Sequence, residues 1–163
     1  RRPAPSAGGV ILAARLTAGG GVAHCPGGGT HHGLRDRASG FCYVNDAVLG
    51  LLEWLDHGLT RILYVDIDAH HGDGVELAFR DDARVVTLSV HEAGRWPFTG
   101  TAHGPCGALN LAVPQGFNDT EMRHLLHGAI LPLVEEWHPQ AIMLQCGADA
   151  LEEDPLARLA LSN

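Results

Sequence analysis

The sequence has 163 residues, 45% hydrophobic and 18% charged, enough apolar material for one core and too little charge for a disordered chain. Eleven basic against 19 acidic residues leave a formal charge of −8, which argues against a nucleic-acid grip by charge, since phosphate contacts need clustered cations. No apolar run approaches the roughly 18 residues of a membrane span and no secretory signal opens the chain, so a cytoplasmic protein is expected.

In chain order, periodicity predicts a helix over about Pro5 to Leu16 with a glycine-rich exit at Gly19 to Gly21. A short strand, Val22 to Cys25, then runs into a PGGGTHHG loop. Asn45 is placed to cap a helix through AVLGLLEWLDH, and Gly58 sits where a C-terminal glycine belongs. RILYVDI is a continuous apolar, β-rich run of the kind buried on both faces of a parallel sheet. A short helix near Val75 to Arg80 and a second buried strand, Arg84 to Val90, follow, and ALNLAV is a weaker strand. Asn118 with Glu121 three positions on resembles a capping box, opening a helix to about Trp137 that Pro132 is expected to kink. AIMLQCG is the last strand. Strands separated by helices mean an α/β fold with a mostly parallel sheet.

Ligand sites in such sheets lie in loops beyond the carboxyl ends of the strands. Three polar clusters, His31-His32, Asp66 to Asp73 and Asp149, each follow a predicted strand and are expected to converge on one rim. All eleven basic residues are arginine, which reads as coding bias, whereas 11 histidines and 21 glycines carry more meaning. Histidine is the commonest metal ligand and proton carrier, and glycine allows tight turns and close approaches. Cys25, Cys42, Cys106 and Cys146 form no C-x-x-C pair, so reduced, mostly buried thiols are expected rather than disulfides or a zinc knuckle.

The densest chemistry lies in YVDIDAHHGDG, which sets Asp66, Asp68, His70, His71 and Asp73 within eight positions. On an extended backbone Asp66, Asp68 and His70 share one face. A carboxylate and an imidazole there make half a metal site, and Asp149, in the QCGAD turn, is the natural third ligand. Three protein ligands leave a position open for water, as in a catalytic zinc site. His31 and His32 could then serve as general base and acid, with Asp66 and Asp73 as candidates to fix their tautomers. His24, His57, His91, His103, His124, His127 and His138 lack such context and read as ordinary helix, loop or packing residues.

The blocks GGGTHHGLRDRASGFCYVNDAVLGLL, ILYVDIDAHHGDGVELAF, VVTLSVHEAGRWPFTGT and LQCGADALEEDP resemble the histone deacetylase family, most closely the bacterial acetoin-utilisation (AcuC-like) deacetylases. The likeness runs from about Ala4 onward. It implies a three-layer α/β fold of the arginase/deacetylase type and hydrolysis of acetyl-lysine amides with release of acetate. It also implies Asp68, His70 and Asp149 as zinc ligands, and His31 and His32 as tandem histidines backed by Asp66 and Asp73 respectively. A potassium ion would be surrounded by the Asp66 side chain, the Ser89 hydroxyl and the carbonyls of Asp66, Asp68, His70 and Val90. Gly40 and Phe41 would form one wall of an acyl-lysine tunnel, with Trp96 opposite and Leu156 near its mouth or floor; plain core packing is the competing reading of those three side chains.

The family's oxyanion-holding tyrosine, after a glycine-rich turn well beyond the last ligand, has no counterpart before Asn163, and Tyr43 and Tyr64 lie in other motifs. The family's N-terminal segment is absent too. The sequence is therefore expected to be an internal fragment, a single partial deacetylase domain over residues 1–163, with reduced activity. An acetylpolyamine or small-amide hydrolase, a manganese ureohydrolase of the same fold, and a non-catalytic metal- or acyl-lysine-binding module are the alternatives. The second metal's carboxylates of the ureohydrolases are missing here. Zinc and ferrous iron both suit the mixed N/O donor set.

Overall fold

The computed structural model of the protein describes residues 3–163, and its centre is a strand with two buried faces. That strand, β1 (Ile62–Asp66), lies in a four-stranded, all-parallel sheet with β2 (Val85–Glu92), β3 (Leu109–Val113) and β4 (Ala141–Gln145). The order is β3-β2-β1-β4. Because strand side chains alternate, Ile62 and Tyr64 pack into one apolar cluster and Leu63 and Val65 into another on the opposite face. Each such fully buried side chain contributes roughly 1.5–3 kcal/mol. The fold is thus three-layered α/β, as expected.

One face is covered by α1 (Pro3–Thr17), α2 (Asp46–Asp56) and α3 (Asp73–Phe79). Within α2, Ala47, Leu51, Trp54 and Leu55 are buried at helical spacing. Its start is capped by Asn45, whose Oδ1 accepts from the Val48 N–H at 3.0 Å. At its end the Leu59 N–H donates to the Trp54 carbonyl and the Gly58 N–H to that of Leu55, a Schellman motif with Gly58 at φ +90°. A Cβ at Gly50 would lie 2.7 Å from Val10 Cγ1, so that glycine lets α1 approach α2.

The other face is covered by α4 (Asp119–Leu125) and α5 (Leu131–Trp137). The capping box at Asn118 and Glu121 forms as expected. The predicted kink at Pro132 takes the form of a π-helical stretch, Leu126–Ile130, directly before it, with the Leu131 N–H donating to the Leu126 carbonyl. Proline supplies no N–H and crowds the carbonyl four residues back, so the hydrogen-bond ladder slips by one.

Two expectations fail. Val22 to Cys25 is not a strand: it follows three glycines, has no ladder partner, and Val22 is fully exposed. The thiols are not mostly buried either, since Cys42 is buried, Cys25 half-buried, and Cys106 and Cys146 exposed. No helix among the described residues is long and apolar enough to cross a membrane. The topology runs β1, β2, β3 outward in one direction and returns to place β4 on the other side of β1. The switch point, where a crevice opens beyond the carboxyl ends, therefore lies between β1 and β4.

Candidate metal and hydrolase site

The His31-His32 loop reaches this rim without a strand to deliver it, held by side chains at the start of α2. Asp46 is buried and its Oδ1 accepts from the N–H groups of Gly29 and Thr30 at 3.1 and 2.9 Å, while Ser6 donates to its other oxygen. Asn45 Nδ2 donates to the carbonyls of His31 and Gly33 at 2.8 and 3.0 Å. The two residues that begin α2 therefore also shape the glycine-rich loop.

Asp66 ends β1 fully buried, and its Oδ2 is 2.6 Å from His31 Nδ1 and accepts from the Tyr64 hydroxyl at 2.6 Å. His32 Nδ1 lies 2.7 Å from Asp73 Oδ1 at the start of α3. An ionised carboxylate only accepts, so each Nδ1 carries hydrogen and each Nε2 is the free edge. Burial works against a charged His31, yet the charge and hydrogen bond of Asp66, with Asp68 and Asp73 nearby, push its pKa up to about 9. Burial, then Asp66, push the Tyr64 phenol well above its usual value.

Beyond Asp66 the chain is not extended as expected. Asp66 Oδ1 accepts from the Asp68 N–H at 3.1 Å and Asp68 Oδ1 from the His70 N–H at 2.8 Å, two successive aspartate turns. They turn Asp66 toward the histidines and leave Asp68 and His70 facing Asp149, which is oriented by the Ala69 N–H at 3.1 Å. Ligand atoms of Asp68, His70 and Asp149 all lie within 4.8 Å of one another. His70 Nδ1 is 2.7 Å from Asp149 Oδ2 and 3.2 Å from Asp68 Oδ1. The hydrogen bond to Asp149, then that to Asp68, push the His70 pKa up to about 9. Two carboxylates thus demand positive charge at this point, which fits a divalent cation held by two oxygens and one nitrogen.

These three residues and both histidines line one cavity of about 480 Å³. His31 Nε2 is 3.7 Å from Asp68 Oδ2, and the His32 and His70 ring centres are 6.1 Å apart. Gly40, Phe41, Trp96 and Leu156 line the same cavity. The last three are exposed at its mouth rather than packed in a core, and Phe41 is 98% exposed at φ +63°. Trp96 meets His32 edge-on at 4.7 Å between ring centres. Ser89 and Val90 are buried near the end of β2, and Ser89 lies opposite Asp66 in the ladder.

Some placements differ from the sequence reading. His71 turns away from the cluster: its Nε2 is 2.9 Å from Glu76 Oε2 and its Nδ1 2.8 Å from Thr99 Oγ1. His91 is buried with its Nδ1 2.9 Å from Ser89 Oγ, and burial, then the neighbouring His71, lower its pKa to about 4. Tyr64 was missed as a partner of Asp66, although its position two residues earlier on the same strand puts it on the same face.

Comparison with known proteins agrees with this geometry. A family model described as histone deacetylase domain matches residues 4–163. The chain is 47% identical over 144 residues to "Histone deacetylase 6" of Arabidopsis thaliana, covering 83% of this chain and 30% of that protein. It is 45% identical over 137 residues to "Histone deacetylase HDAC1" of Drosophila melanogaster, covering 80% and 26%. It is 43% identical over 143 residues to "Histone deacetylase RPD3" of Saccharomyces cerevisiae, covering 83% and 33%. The chain thus spans about a third of the length of the curated relatives it matches. With the match running over nearly the whole sequence and the site at the switch point of its sheet, the chain belongs to the histone deacetylase family.

Proposed function

We propose that the chain is part of a zinc-dependent deacetylase that hydrolyses acetyl-lysine amides and releases acetate. The observation that carries this reading is one pocket in which the Asp68, His70 and Asp149 donors face the His31-His32 pair. Asp68, His70 and Asp149 would hold the metal, zinc or ferrous iron, which when bound polarises the acyl carbonyl and acidifies water. Asp66 and the facing Ser89, with the carbonyls of Asp68, His70 and Val90, would hold a structural potassium ion.

His32, fixed by Asp73 with its Nε2 free, takes the proton of the attacking water and returns it to the leaving amine. His31, its Nδ1 held by Asp66, turns its Nε2 edge into the same pocket as the second acid–base group of the pair. Phe41, Trp96 and Leu156 confine the apolar stem of the lysine. Tyr64 donates its hydroxyl to Asp66 and therefore supports His31 rather than the oxyanion. The chain spans about a third of the length of its curated relatives, which supports reading it as one partial domain of a longer enzyme; the cytoplasmic location and the acetoin-utilisation subtype rest on the sequence resemblance alone.

Glu152, Glu153 and Asp154 precede Leu156 at the mouth, and this acidity favours a cationic substrate. An acetylated polyamine is therefore the second reading. The test is acetate release by the metal-loaded product of the whole gene from acetyl-lysine peptide and from acetylspermidine. Release from the peptide that is lost on chelation and restored by zinc supports the first reading, and release from acetylspermidine alone supports the second. No release from either overturns both.

A further inference from the structure

Trp96 and Leu156 line the pocket from segments far apart in the chain, and one side chain joins them. Arg95, immediately before Trp96, donates from Nε and Nη2 to the two carboxylate oxygens of Glu92 at 2.6 and 3.0 Å. Its Nη1 donates to the Leu156 carbonyl at 2.7 Å. Glu92, the last residue of β2, is only 2% exposed, and its Oε2 also accepts from the Arg158 N–H at 2.8 Å. Its own N–H donates to the carbonyl of Ala69, between Asp68 and His70, at 2.9 Å. Burial opposes the charge on Glu92, but the Arg95 hydrogen bond and the Arg158 N–H hold its carboxyl below the usual carboxylate range.

A bidentate guanidinium–carboxylate pair fixes direction as well as distance, which a lysine in the same place does not. The indole cannot move inward: it already meets His32, and a Cβ at Gly40 would lie 2.5 Å from its Cη2. Outward movement is opposed by the bond from Arg95 to Leu156. We infer that Arg95, oriented by Glu92, is a positioning residue that sets the gap between the Trp96 and Leu156 walls and restricts the pocket to slender, unbranched substrate stems. The selectivity rests on the acyl-lysine reading above; the clamp itself does not.

The first test labels the chain with 5-fluorotryptophan and assigns the Trp96 resonance by Trp96→Phe. In Arg95→Ala that resonance shifts while those of Trp54 and Trp137 stay in place, and Arg95→Lys does not restore it. An unmoved Trp96 resonance overturns the clamp. The second test measures binding of a hexyl- and a cyclohexylmethyl-hydroxamate to the zinc-loaded chain. Wild type prefers the linear ligand, and in Arg95→Ala the preference falls by about tenfold, the lower end of what bulk discrimination in an apolar pocket gives. An unchanged preference overturns the selectivity role alone. If wild type binds neither hydroxamate, the reading of the pocket fails and the selectivity role fails with it, while the fluorine spectrum still decides the clamp.

Discussion

Tyr64 and His31 meet the same oxygen of Asp66, each at 2.6 Å, inside a core where Asp66 has no exposure to water. The hydroxyl and the imidazole divide one carboxylate charge between them. Removing the hydroxyl in Tyr64→Phe leaves more of that charge for His31, so the His31 titration moves above about 9. The loss of a buried hydrogen bond to a charged group should also cost about 1.5–3 kcal/mol. Histidine NMR titration and urea denaturation check the two effects.

Asp149→Ala and His70→Ala each remove one of three converging donors and should abolish stoichiometric zinc uptake. Asp73→Asn, whose side chain faces His32 instead, should leave it intact. Zinc content after dialysis decides; uptake unchanged in the first two variants refutes the ligand assignment.

In the whole gene product, His32→Ala should lower deacetylation by about 10²- to 10⁴-fold with zinc retained. Turnover assays paired with metal analysis check this, and near-normal turnover removes His32 from the mechanism.

Gly40 sits at φ +51° with the Trp96 and His32 rings where a Cβ would point. Gly40→Ala should cost about 1–2 kcal/mol for the backbone alone and weaken hydroxamate binding by displacing Trp96. The denaturation midpoint and a binding titration measure both.

The metal-free chain should be most stable near pH 6.5. His31 is raised to about 9, so its contribution is complete below its unfolded value near 6.5 and is lost as pH rises through 9. His91 is lowered to about 4; between about 6.5 and 4 the unfolded chain binds its proton and the folded chain does not, so stability falls as the solution is acidified. Thermal unfolding across pH 5 to 9 checks the shape, and His91→Phe should flatten the acid side.

Local pattern made much of the molecule legible. The apolar run at Ile62 to Val65 announces a central parallel strand because both its faces must be covered, and Asn45, Gly58 and Asn118 announce helix ends because each answers a backbone need within a few residues. The D-x-D-x-H spacing and the His31-His32 pair mark candidate metal donors and candidate acid–base groups for the same reason: the residue types that such chemistry needs stand close together in the chain. Val22 to Cys25 shows the limit, since a strand exists only where a partner lies alongside it. Nothing within the motif says that His71 turns toward Glu76 and Thr99 while His70 faces Asp149. Nor does it say that Arg95 reaches Leu156. Those outcomes depend on which distant groups the packed sheet brings within 3 Å, because a hydrogen bond is selected by position in space and not by separation along the chain.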